Sequence, residues 1–190
     1  MQGLTESRRA VRAILFDLDG TLFDRDGSLR PLLEDQFNSF SSELRHVARD
    51  VFVYRVITLD AHGYVAEPEV YSQIVSEFGL QDTLAATLVE HFTERYAFFA
   101  LPFDGVVSTL RHLKNAGLEL GIVTNGSERI QQSVIDALHF GDSLTAVAIS
   151  ETAGIRKPDP RIFQQTAAET GVQVSECCFV GDHHDGSGIN

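Results

Sequence analysis

The sequence predicts an α/β fold, a doubly wound parallel sheet interrupted by an inserted helical segment. Three observations predict it. Four short apolar runs each stop at polar or glycine residues. After Pro102 those runs alternate with stretches of helical period, the pattern of parallel strands joined by helices. Between the first run and the others, residues 28–100 keep helical period with no strand alternation.

The first run, from Val11 to Phe16, reads as a buried strand that stops at Asp17-Leu18-Asp19-Gly20. Four helices are expected in the insertion. Pro31, Leu32, Leu33, Phe37 and Phe40 share one stripe, with Pro31 placed in the first turn, where a missing N–H costs nothing. Residues 46–59 fit a second helix. Pro68 opens a third and Gly79 ends it. A fourth covers 83–99, with Leu84, Leu88, His91, Phe92, Arg95 and Phe99 along one stripe. Beyond Pro102, strands are expected at 118–123, 146–149 and 177–180, with helices at 104–116, 127–139 and 158–170.

A chain of 190 residues accommodates one large domain, or one domain with a smaller one inserted. Its 43% hydrophobic and 22% charged residues exclude a disordered chain. Fifteen Lys and Arg against 27 Asp and Glu leave a formal net charge of −12. So acidic a chain has no electrostatic footprint for nucleic acid or an anionic membrane, and neither partner is expected. An anionic substrate must then be met by a local device: a metal ion, a helix N-terminus or a placed lysine. No apolar run approaches the roughly 18 residues of a membrane span, and the apolar stretch before Asp17 is too short for a signal-peptide core. Cys177 and Cys178 are neighbours, which point to opposite faces of an extended segment and are poorly placed to bond each other. A cytoplasmic location is the expectation.

Polar residues gather where a ligand would bind. Asp17, Asp19, Thr124, Asn125 and Asp182 each follow or close an expected strand, and that edge of an open α/β sheet is its binding edge. If the backbone stays extended, Asp17 and Asp19 face the same way, and two such carboxylates suit acid–base work or a hard divalent cation. Asp-Gly is equally ordinary turn chemistry. Thr124-Asn125-Gly126 offers a hydroxyl, an amide and an open backbone N–H before a helix. Capping of that helix by Asn125 or Ser127 is the plainer alternative. Lys157, held before Pro158, can neutralise phosphate charge or stand as a solvated loop residue. His183, His184 and Asp185 follow Asp182, yet adjacent side chains rarely converge on one ion. Arg25 and His62 are read as exposed loop residues, with substrate contact as the alternative, and Phe98 and Phe99 as core.

Four motifs in order carry a resemblance. They are Phe16-Asp17-Leu18-Asp19-Gly20-Thr21, Val123-Thr124-Asn125-Gly126, Lys157-Pro158-Asp159-Pro160 and Val180-Gly181-Asp182. With them the chain resembles the haloacid dehalogenase-like hydrolases, and the insertion resembles that family's C1-type helical cap. The resemblance implies a Rossmann-like core over residues 1–24 and 101–190, with the cap over 25–100. It implies a phosphatase acting on a small phosphate ester through an aspartyl-phosphate. Asp17 would be the nucleophile and Asp19 the general acid and base. Thr124, Asn125 and Lys157 would serve the phosphoryl group. Asp17, Asp19 through its backbone carbonyl, and Asp182 would bind Mg2+. Family dehalogenases carry Tyr at the position of Asp19, so dehalogenation is disfavoured. A phosphomutase shares the two aspartates. The fourth motif departs from the pattern: the second acid expected four or five positions after Asp182 is replaced by Gly186 and Ser187. The C-terminus therefore reads as truncated, which allows a weakened, phosphate-binding protein as an alternative. A monomer or homodimer is expected.

Overall fold

The computed structural model describes residues 10–182. The stretch after Asp182, with His183, His184, Asp185 and the departure at Gly186 and Ser187, lies outside the described residues.

Four strands form one parallel sheet: β1 (Ala13–Phe16), β2 (Glu119–Thr124), β3 (Ala146–Ile149) and β4 (Cys177–Val180), in the order β3-β2-β1-β4. Phe16 lies opposite Ile122 on β2 and Val180 on β4, and Thr124 opposite Ile149 on β3. This register brings the C-terminal ends of all four strands to one edge. Parallel strands need crossovers, and the described ones are helical. They are α5 (Val106–Asn115), α6 (Glu128–Ala137) and α8 (Pro160–Glu169), with one extra turn, α7 (Ser150–Ala153), directly after β3. Leu15, Val123, Ala148, Ile162 and Phe163 form a core cluster between the sheet and α8, with Phe179 of β4 against it. Gly121 sits where this layer is tightest, since a Cβ there would come within 2.8 Å of Leu15.

The described chain divides into two compact units. The first comprises the sequence through Phe23, then Pro102–Gln131, then the part from His139 onward; the second comprises Asp24–Leu101 and Gln132–Leu138. The second is helical through residues 24–101, with α1 (Arg25–Ser39), α2 (Arg49–Asp60), α3 (Glu67–Glu77) and α4 (Thr83–Arg95). Its core holds Leu32, Leu33, Phe52, Tyr71, Ile74, Leu88 and Phe92. Its ends are tied: Asp24 N donates to the Leu101 carbonyl, and Leu101 N donates to Ser28 Oγ.

Several local expectations need correction. Pro31 stands inside α1 and not in its first turn. The helix starts earlier because Asp24 caps it, its carboxylate accepting from Gly27 N at 2.9 Å. The second helix begins at Arg49, after hydrogen-bonded turns over 40–47. The fourth stops at Arg95 and tightens into a 3-10 turn, Tyr96–Phe99. Phe98 is 74% exposed, not core, with the Arg95 guanidinium 4.7 Å from its ring centre. Arg25 is buried, not an exposed loop residue. It makes a bidentate pair with Asp60, both contacts at 2.7 Å, linking the start of α1 to the end of α2. His62 is exposed, with Nδ1 3.3 Å from Asp26 Oδ1. Both cysteines are free thiols. Among the described residues no helix is long and apolar enough to cross a membrane.

Candidate active site

β1 ends at Phe16, and the next residue is the first polar group of the edge. Asp17 N still donates to Val180 O at 2.8 Å, so its backbone is held between the ends of β1 and β4. The chain then folds over itself. Thr21, Leu22 and Phe23 all donate to the Leu18 carbonyl, and Gly20 adopts a positive φ of 73° in the turn, a conformation that suits glycine. This turn separates the two early aspartates by environment.

Asp17 Oδ1 accepts from its neighbour Leu18 N at 2.7 Å and pairs with Lys157 Nζ at 2.6 Å. Both side chains are largely withdrawn from solvent, at 14% and 15% exposure, so the pair is screened little. Lys157 is held at its root. Asn125 Oδ1 accepts from Lys157 N at 2.9 Å, and Asn125 Nδ2 donates to Lys157 O at 3.1 Å. The amide thus joins the end of β2 to the loop before α8. The Lys157–Pro158 peptide is cis. The ammonium also lies 5.7 Å from the centre of the Phe179 ring. Asp159, two residues on, is a helix cap: it accepts from Arg161 N at 2.9 Å and pairs with the Arg161 side chain.

Asp19 has a different partner, Gln131, whose Nε2 donates to Asp19 Oδ2 at 3.0 Å. Thr124, fully buried at the end of β2, donates its hydroxyl to Gln131 Oε1 at 3.2 Å. Gln131 is a functional candidate that the residue patterns did not single out. Its only sequence signal is position: it lies in the helix that follows the Thr124-Asn125-Gly126 turn, one turn in, with its N–H on the Ser127 carbonyl. Glu151 of α7 is a second such residue, its carboxylate accepting from Glu128 N at the start of α6.

Asp182, beyond the end of β4, is placed against the turn that follows Asp17. A Cβ on Gly20 would lie 2.3 Å from Asp182 Oδ2, so only a glycine lets this carboxylate approach the β1 turn. A Cβ on Gly181 would lie 3.4 Å from the Asp17 Cβ, so the two strand ends meet closely. Five of the six expected residues thus fall into two linked groups: Asp17, Lys157 and Asn125, and Asp19 with Thr124 through Gln131. Asp182 stands against Gly20. Among the described residues no three carboxylate, imidazole or thiol side chains converge on one point as an ion cage. An oxygen donor set of two carboxylates, Asp17 and Asp182, and one backbone carbonyl remains, of the kind that holds a hard cation alongside water.

Comparison with known proteins places this edge in a family. Residues 11–187 match the model of the haloacid dehalogenase-like hydrolases. A phosphoglycolate phosphatase of Xanthomonas campestris pv. campestris is 32% identical, over 92% of this chain and 76% of its own length. A glyceraldehyde 3-phosphate phosphatase of Methanopyrus kandleri is 28% identical, over 92% of this chain and 77% of its own. In fold alone, the chain is similar to a crystal structure of a HAD-superfamily hydrolase, subfamily IA, from Geobacter sulfurreducens, with a TM-score of 0.67 at 17% identity, over 94% of this chain and 81% of that one. A parallel sheet with its polar residues at the strand ends, and a match that runs along nearly the whole sequence, lead to one statement: the chain belongs to the haloacid dehalogenase-like hydrolases.

Proposed function

We propose that this hydrolase is a phosphatase that removes the phosphoryl group from a small phosphate ester, with Asp17 as nucleophile and Mg2+ as its metal. The observation that carries the reading is the Lys157 ammonium 2.6 Å from the Asp17 carboxylate at the strand-end edge. Phosphoryl transfer asks chiefly for positioning and for charge stabilisation, and this pair supplies both. The phosphatase names of its relatives support it.

Asp17 Oδ1 is held by Lys157 and Leu18, which leaves Oδ2 to attack phosphorus. As the new O–P bond forms, the bond from phosphorus to the ester oxygen breaks, and Asp19 gives that oxygen its proton. Water then attacks the aspartyl-phosphate, Asp19 takes its proton, and the O–P bond to Asp17 breaks. Lys157 offsets phosphoryl charge throughout. Thr124, whose hydroxyl is donated to Gln131 Oε1, is the second residue at the phosphoryl group. Asn125 acts at one remove, by fixing the Lys157 backbone. Asp17, the Asp19 carbonyl and Asp182 would hold Mg2+, which supplies charge neutralisation when bound. The helical unit over residues 24–101 is the proposed cap.

The test is phosphate release from p-nitrophenyl phosphate with and without Mg2+. Release by the parent and none by Asp17→Asn supports the reading; equal release by both ends it. Phosphate binding without turnover would favour the phosphate-binding alternative. Transfer between two positions of one sugar would favour a phosphomutase.

A further inference from the structure

We infer that Gln131 is a positioning residue, whose amide sets the place of Asp19 by bracketing it to the hydroxyl of Thr124. The inference rests on the phosphatase reading for its consequence in turnover, and on geometry alone for the bracket.

The geometry is specific. Gln131 is 7% exposed, so its amide draws little from solvent and depends on its partners. An ionised carboxylate only accepts hydrogen bonds, so Nε2 must face Asp19 and Oε1 must face Thr124. Thr124 therefore donates, and both ends of the amide are defined. The backbone behind it is also fixed. Thr124 closes β2, and Gln131 N is bonded to Ser127 O in the first turn of α6. The chain leaves room for this one side chain: a Cβ on Gly126 would come within 2.7 Å of Gln131 Nε2 and 2.9 Å of its Cγ.

The bracket has a chemical consequence. Asp19 lies in a turn three residues beyond the end of β1, and Gln131 Nε2 donates to its carboxylate from α6. Proton transfer to or from a reacting oxygen requires hydrogen-bond reach, so rotamer choice enters the rate directly. Gln131 meets neither the ester nor the metal in this scheme, and works through Asp19.

The experiment compares the full chain with Gln131→Met, Asp19→Asn and the double variant, on p-nitrophenyl phosphate with Mg2+. The Gln131 side-chain amide is also followed by nitrogen NMR in the parent, in Asp19→Ala and in Thr124→Val, without substrate. Gln131→Met should lower kcat about 10- to 100-fold and leave KM within about threefold. In the Asp19→Asn background the same change should cost no more than about twofold, because the group it acts through is already gone. Loss of either partner should move the Gln131 amide resonance, because each end of the amide is held by one of them. Equal losses in both backgrounds, or a Gln131 amide resonance unmoved in both Asp19→Ala and Thr124→Val, overturn the inference. A parent that releases no phosphate ends the phosphatase reading instead; the amide resonance still decides the bracket.

Discussion

Lys157 Nζ and Asp17 Oδ1 stand 2.6 Å apart, although 140 positions separate them in sequence. Replacing the lysine by methionine keeps the apolar stem and removes the charge. Lys157→Met should lower kcat/KM for p-nitrophenyl phosphate by about 100- to 1,000-fold, the size of effect seen when one donor to transition-state charge is lost. Lys157→Arg should not restore it, because a planar fork cannot replace a compact ammonium beside the Phe179 ring. Steady-state kinetics on the two variants check both statements.

Gly20 permits the approach of Asp182 to the β1 turn. Gly20→Ala puts a Cβ at a positive φ and onto the Asp182 carboxylate, so that carboxylate must move. The expected outcome is a several-fold higher Mg2+ concentration for half-maximal activity, measured by metal titration of the phosphatase rate. Gly105→Ala, which also sits at positive φ but meets no atom within 4 Å of the added Cβ, is the control and should leave the metal dependence unchanged.

The Arg25–Asp60 pair is buried, with side chains 9% and 5% exposed. Removing one partner leaves the other charge desolvated and alone. Arg25→Met should destabilise by about 3–5 kcal/mol. Adding Asp60→Leu should recover part of that loss but not all of it, since Asp60 also accepts from Gly63 N at 3.0 Å. Denaturant unfolding of the two variants and the parent checks the order.

Asp159 is held at a pKa of about 2 by the Arg161 side chain first and by the Arg161 backbone N–H second. Its folded value lies below the ordinary aspartate value of about 3.9. The contribution to stability is therefore complete above about pH 4 and is lost as pH falls toward 2. Asp159→Ala should melt lower than the parent at pH 6, and the difference should shrink steadily between pH 4 and about 2. Thermal melts across that range decide it.

Much of the sheet was legible because its signals are local. Ala146–Ile149 and Cys177–Val180 are short apolar runs with polar stops, and both are strands with those bounds. The strand-end placement of Asp17, Thr124 and Asp182 is legible for the same reason, since strand ends can be read from where apolar runs stop. What escaped depends on distance. Arg25 looked like a loop charge because its partner, Asp60, lies 35 residues away. Gln131 looked like one more polar position on an amphipathic helix, and only folding brings it to Asp19, 112 residues earlier. Pro31 was misplaced because a proline marks a helix start by preference, while the Asp24 cap marked the actual one.

The reciprocal amide contacts of Asn125 grip the main chain of Lys157 on both sides and leave its four-carbon stem untouched. The cation is thus tethered at the base and able to swing at the tip. As negative charge migrates from a carboxylate oxygen toward an incoming group, the ammonium can follow it by bond rotation alone, with no displacement of the loop that carries it.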